Sequence, residues 1–171
     1  MKPSRDFVRT ALTLIRCGNR GNIGALNGMT TKRKAYLACP SEKQMAGNLA
    51  RDILEEAGME VYMPFEYHVD NAWDYPNTEW GLMVFQMDIE AIKRSEIVVI
   101  MSYGRNSTAG VNWEAGYSFA LGKKVIVVEM AECPMSVMVA NGRYATVTGL
   151  EGLAAYDWGS MPKTRTGTEQ K

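Results

Sequence analysis

The chain has 171 residues, 46% hydrophobic and 22% charged, and its nineteen basic side chains balance nineteen acidic ones. That suits one ordinary domain with a real core, and zero net charge gives no global field for a nucleic acid polymer. No apolar run approaches the ~20 residues needed to span a membrane. Cys17, Cys39 and Cys133 lack CxxC spacing, which argues against a disulfide framework or zinc site and fits a reducing cytoplasm. His68 is the single histidine, so multi-histidine metal sites are excluded. GxGxxG, P-loop and GxSxG patterns are absent. No cofactor or metal is expected. Chemistry must rest on carboxylates, hydroxyls and aromatics.

The charge is unevenly spread. Residues 1–34 hold eight basic side chains against Asp6 alone, a net +7, so the remainder carries −7. Residues 1–33 read as a basic, flexible extension. Their composition suits a tail, an organelle-targeting segment, or a chain whose translation starts at Met29. The compact domain is expected over 34–160, with a polar, disordered tail over 161–171.

Within the domain, 35–39 reads as a short buried strand ended by Pro40. A helix is expected over 41–57, with Met45, Leu49, Ile53 and Leu54 at helical spacing and Gly58 as its stop. A second strand over 60–63 leads into an aromatic loop over 65–77, long enough to suspect function. A helix follows over 78–94, with Trp80, Met83, Val84, Met87, Ala91 and Ile92 as an expected core stripe. Then come a strand over 96–101, a helix over 109–121 and a strand over 124–129. A fifth strand over 145–147 and a short helix over 150–156 complete the order. Such alternation implies an α/β fold, a parallel sheet with helices on both faces.

Two carboxylates stand out. Glu114 lies in the first turns of the 109–121 helix, after the apolar run 97–101 and the cap candidates Ser107 and Thr108. That position lies at the carboxyl edge of the sheet, where open α/β folds bind ligands. Gly110, four residues earlier on the same helix face, leaves room for a substrate. The competing reading is a solvated glutamate favoured by the helix dipole. Asp88 falls four residues after Val84 and eight after Trp80, on the apolar stripe. A core-facing aspartate is costly unless paired or used. Either it bonds a loop amide at the stripe's margin, or it reaches a cleft beside Glu114. Two carboxylates in one cleft are the usual equipment for glycosidic bond chemistry.

These pieces together resemble the nucleoside 2-deoxyribosyltransferase family. The matching residues are Tyr36-Leu37-Ala38-Cys39-Pro40, the stretch 79–93 around Asp88, the stretch 110–117 around Glu114, and Leu121-Gly122-Lys123-Lys124. Order and spacing agree from about residue 34 to 158. The resemblance implies a flavodoxin-like, five-stranded doubly wound sheet of order 2-1-3-4-5, and usually a homo-oligomer. It implies that Glu114 attacks C1′ of the sugar and forms a covalent glycosyl-enzyme, that Asp88 acts near the base or nucleophile, and that Tyr36 orients the glutamate. Trp80 matches an aromatic near the base, and Glu66 and His68 fall where the family meets the base edge.

There are departures. An aspartate six residues before the glutamate is Thr108 here, and an Asn-Leu-Met segment reads Ser136-Val137-Met138. Hydroxyls at both places resemble the related deoxynucleoside 5′-monophosphate N-glycosidases, which hold phosphate there. Yet the glycine-rich, arginine-bearing first loop of those hydrolases is replaced by Cys39-Pro40-Ser41-Glu42-Lys43. Three readings follow: deoxyribosyl transfer between nucleobases, hydrolysis of a nucleoside monophosphate, and a non-catalytic nucleotide-binding module. The resemblance implies nucleosides or nucleotides and free nucleobases as substrates and partners.

Overall fold

Side-chain alternation along two central strands divides the molecule into layers. In β1 (Arg33–Ala38), Ala35 and Leu37 point to one face and Tyr36 and Ala38 to the other. In β3 (Ile97–Ser102), Ile97, Val99 and Met101 join the first set, and Val98 and Ile100 the second. Every residue of β3 is buried, as expected of a central strand covered on both faces. The computed structural model describes residues 32–164.

The remaining strands are β2 (Met59–Tyr62), β4 (Lys124–Glu129) and β5 (Ala145–Thr148). All pairings are parallel and the order is β2-β1-β3-β4-β5. The helices are α1 (Gln44–Glu56), α2 (Asn77–Arg94), α3 (Ala109–Ala120), α4 (Val137–Gly142) and α5 (Gly149–Ala155). Helices α1 and α5 cover the first face through Ala50, Leu54 and Leu153. Helices α2, α3 and α4 cover the second through Ile92, Val111, Ala115 and Val139. This is the doubly wound, flavodoxin-like arrangement expected.

Several elements differ from the sequence reading. The start of the expected first helix is a 3₁₀ turn, Ser41–Lys43, before α1 begins. The long aromatic loop contains two 3₁₀ turns, Pro64–Glu66 and Ala72–Asp74. Helix α4 was not expected. The stripe on α2 is not a core stripe: only Ile92 is buried, Met83, Val84, Met87 and Ala91 are half-buried, and Trp80 is exposed. The helix sits shallowly on the sheet and keeps an apolar surface.

The fold also runs beyond 34–160. Arg33 opens β1 and donates to the Trp158 carbonyl. The Tyr144 and Tyr156 phenols donate to the carbonyls of Met161 and Pro162, and the Thr146 amide donates to the Thr164 carbonyl. The expected extension, save Lys32 and Arg33, lies outside the described residues, as does the tail after Thr164.

Candidate active site

Three elements bring the expected catalytic residues together. Tyr36 stands on β1 and is completely buried. A buried phenol needs a hydrogen-bond partner, and it donates to Glu114 Oε1 at 2.6 Å. Glu114 lies in the second turn of α3. Its helix starts where Thr108 caps it, the threonine Oγ1 accepting from the Val111 amide at 3.4 Å. Asp88 lies on α2 and accepts from the Tyr62 phenol at 3.3 Å.

Both carboxylates line one cavity of about 450 Å³ between α2 and α3. Its walls are apolar: Phe85, Ile89, Ile92 and Trp113. Gly110 lies at its surface, and a β-carbon built there would touch nothing within 4 Å. Phe85 and Trp113 meet at 5.5 Å between ring centroids, and Trp113 stacks on Tyr117 at 5.2 Å. Such a pocket takes a flat, largely apolar group with two acidic oxygens at its side.

The electrostatics follow from that burial. Desolvation pushes Glu114 up to about 7; the phenol of Tyr36 opposes the shift and Asp88 adds to it. Asp88 is also raised by burial, against the hydrogen bond from Tyr62. The phenol of Tyr36 is held far above its usual range, first by burial and then by Glu114. Glu114 is thus poised near neutrality, as functional carboxyls often are.

The loops around the carboxyl edge are locked to one another. Gly104, after β3, has φ +62°, and an added β-carbon would lie 2.2 Å from the Cys133 carbonyl oxygen. Only glycine permits that approach. Lys43, after β1, lies 5.4 Å from the ring centroid of Tyr103.

The other expected binding residues fall differently. Ser136 caps α4, its Oγ accepting from the Val139 amide at 3.4 Å. Helix α4 packs on α3, so both hydroxyl residues sit at the starts of neighbouring helices. Met138 is 82% exposed. Trp80 does not line the cavity; Phe85 and Trp113 supply its aromatic walls instead. Glu66 is engaged by the guanidinium of Arg51 on α1 and does not line the cavity. His68 is exposed on the loop. Tyr62, Phe85 and Trp113 were not singled out from the sequence. Tyr62 carried a weak signal: it ends a short strand just before Met63 and Pro64.

Residues 35–151 match the sequence model of the nucleoside 2-deoxyribosyltransferase family, so the match spans the five strands, the cavity and both carboxylates. The chain belongs to that family. A solved structure of a 2-deoxyribosyltransferase from Bacillus psychrosaccharolyticus, described as a biocatalyst for nucleoside synthesis, is 27% identical to this family member. It superposes with a TM-score of 0.70 over 77% of this chain and 97% of its own. A conserved protein from Enterococcus faecalis V583 is 22% identical, with a TM-score of 0.48 over 58% of this chain and 65% of its own. No curated protein matches the sequence. Among the described residues no helix is long and apolar enough to cross a membrane.

Proposed function

We propose that this protein is an N-deoxyribosyltransferase that moves 2-deoxyribose from one nucleobase to another through Glu114. The observation that carries the reading is the short Tyr36–Glu114 hydrogen bond beside Asp88 in one apolar cavity. The ionised Glu114 attacks C1′ of a 2′-deoxynucleoside. The C1′–N bond breaks, its electron pair leaves with the base, and a glycosyl ester forms on Glu114. Asp88, raised by burial, exchanges a proton with the departing and arriving bases. A nitrogen of the second base then attacks C1′, and Glu114 leaves as the carboxylate. Aromatic walls from Phe85 and Trp113 fit a stacked base, and their low dielectric strengthens each charge interaction in the reaction.

Hydrolysis of a nucleoside 5′-monophosphate is the second reading, and one observation favours it. Thr108 and Ser136 cap two packed helices. A hydroxyl that accepts an amide N–H still has its own O–H to give to a phosphate. Retention of Tyr36, Asp88 and Glu114 together speaks against a non-catalytic binding module. The reading includes a homo-oligomer, supported by apolar side chains exposed away from the cavity lining: Leu82 is 56% exposed and Phe119 60%. Sedimentation velocity tests it; a monomer at micromolar concentration would refute it. A reducing cytoplasm remains the compartment proposed from the cysteines.

The deciding experiment incubates the protein with deoxyinosine plus adenine, and separately with each deoxynucleoside monophosphate, and follows the bases by chromatography. Deoxyadenosine formed in the first mixture supports transfer. Base released from a monophosphate with no acceptor present would replace transfer with hydrolysis.

A further inference from the structure

We propose that Tyr62 is a positioning residue that holds the Asp88 carboxylate in the cavity, the second of two strand tyrosines that each take one of the two carboxylates. The inference rests on the proposed role of Asp88. It starts from the register of the sheet. Tyr36 of β1 and Tyr62 of β2 are directly paired. In a parallel ladder such partners point to the same face. Here that face is the one covered by α2 and α3, which carry Asp88 and Glu114. The two phenols therefore stand side by side under the two carboxyls. Tyr36 donates to Glu114 at 2.6 Å and Tyr62 to Asp88 at 3.3 Å.

The ring of Tyr62 has two stacking partners. It stacks on Tyr36 at 5.6 Å and 16°, and on Tyr67 at 4.2 Å and 10°. Two stacked neighbours restrict the ring and so the direction of its hydroxyl. Asp88 needs that constraint. Its own helix is shallowly packed, and the cavity beside it is walled by Phe85, Ile89 and Ile92. Among the described residues, Tyr62 is the one that donates a hydrogen bond to it. The titratable groups facing Asp88 are Tyr62 from β2, Tyr36 from β1 and Glu114 from α3. Of these, Tyr62 favours the charged form of Asp88 by hydrogen bonding, and Glu114 opposes it when ionised. Tyr67 follows the first 3₁₀ turn of the aromatic loop, so the same stack ties that loop to Tyr62 and Asp88.

The test separates hydroxyl from ring. Tyr62→Phe keeps both stacks and deletes the donor. Base exchange is measured for wild type, Tyr62→Phe, Asp88→Asn and the double variant. Loss of one hydrogen bond to a charged group predicts a fall of about tenfold in kcat, with KM for the nucleoside little changed. In the Asp88→Asn background the same change should cost less than about twofold, because its target is gone. A second readout needs no turnover: the carboxyl carbon of Asp88 is titrated by NMR in wild type and Tyr62→Phe. Its ionisation should move to higher pH when the phenol is lost. Wild-type kcat in Tyr62→Phe, an equal loss in both backgrounds, or an unmoved Asp88 titration would each overturn the proposal. If wild type exchanges no bases at all, the functional reading falls instead, and the titration still decides whether Tyr62 governs Asp88.

Discussion

Glu114→Gln should leave the folded protein more stable at pH 8 than the wild type, while removing base exchange. Burial raises Glu114 from 4.5 to about 7. A carboxyl whose folded value lies above its unfolded value binds more protons in the folded state. Folding therefore loses stability as pH rises from the unfolded value through about 7. Below about pH 4.5 the carboxyl is neutral in both states and carries no such cost. Above pH 7 the full cost applies, about 3 kcal/mol at ~1.4 kcal/mol per pKa unit. Glutamine has no charge to desolvate, and its carbonyl can still accept the Tyr36 phenol. For a domain of this size the gain corresponds to a melting shift on the order of 5–10 °C. Thermal melts of both proteins from pH 4.5 to 8.5 check it: the two curves should coincide at the acid end and separate as pH rises. A gap independent of pH, or a variant that melts lower at pH 8, would refute the reasoning. Exchange should fall at least ~10³-fold, since the nucleophile is gone.

Because the attacking form of Glu114 is ionised, exchange should rise with pH through about 7, as read from initial rates across pH 5 to 9; a flat profile would detach the rate from this carboxyl. Asp88→Asn should cut turnover at least ~10²-fold and leave the fold intact, whereas early melting with normal specific activity would assign Asp88 to packing. Thr108→Asp keeps a good helix cap but sets a negative charge where a phosphate would bind; any use of monophosphates should vanish and nucleoside transfer persist. Gly104→Ala combines a positive φ with a collision at the Cys133 carbonyl, and should cost more than about 2 kcal/mol in urea unfolding.

The order of strands and helices was legible because each strand is a short apolar run, the helices over 41–57 and 78–94 have apolar spacing, and cap candidates mark the start of the helix over 109–121. Helix α4 was missed because six residues are too few to establish a period; Ser136 as its cap was the available sign. The stripe on α2 was read as core because periodicity reports which residues share a face, not how deeply the sheet lets that face sink. Asp88 and Glu114 stand out by their place in the pattern, and the fold brings both to one cavity. Tyr62 was not, because its use depends on the register of β1 against β2. The resemblance puts Glu66 at a base edge, yet it pairs with Arg51 fifteen residues earlier, on α1. A long-range ion pair leaves no mark in local sequence.

Arg33 reaches the carbonyl of Trp158 from the first residue of β1, and Thr164 bonds back to Thr146 near the start of β5. The described chain thus enters and leaves along the amino ends of the strands, while Glu114 and Asp88 lie on helices that begin at their carboxyl ends. A linker joined directly at Lys32 or Thr164 would leave the described domain from that edge of the sheet, away from the cavity.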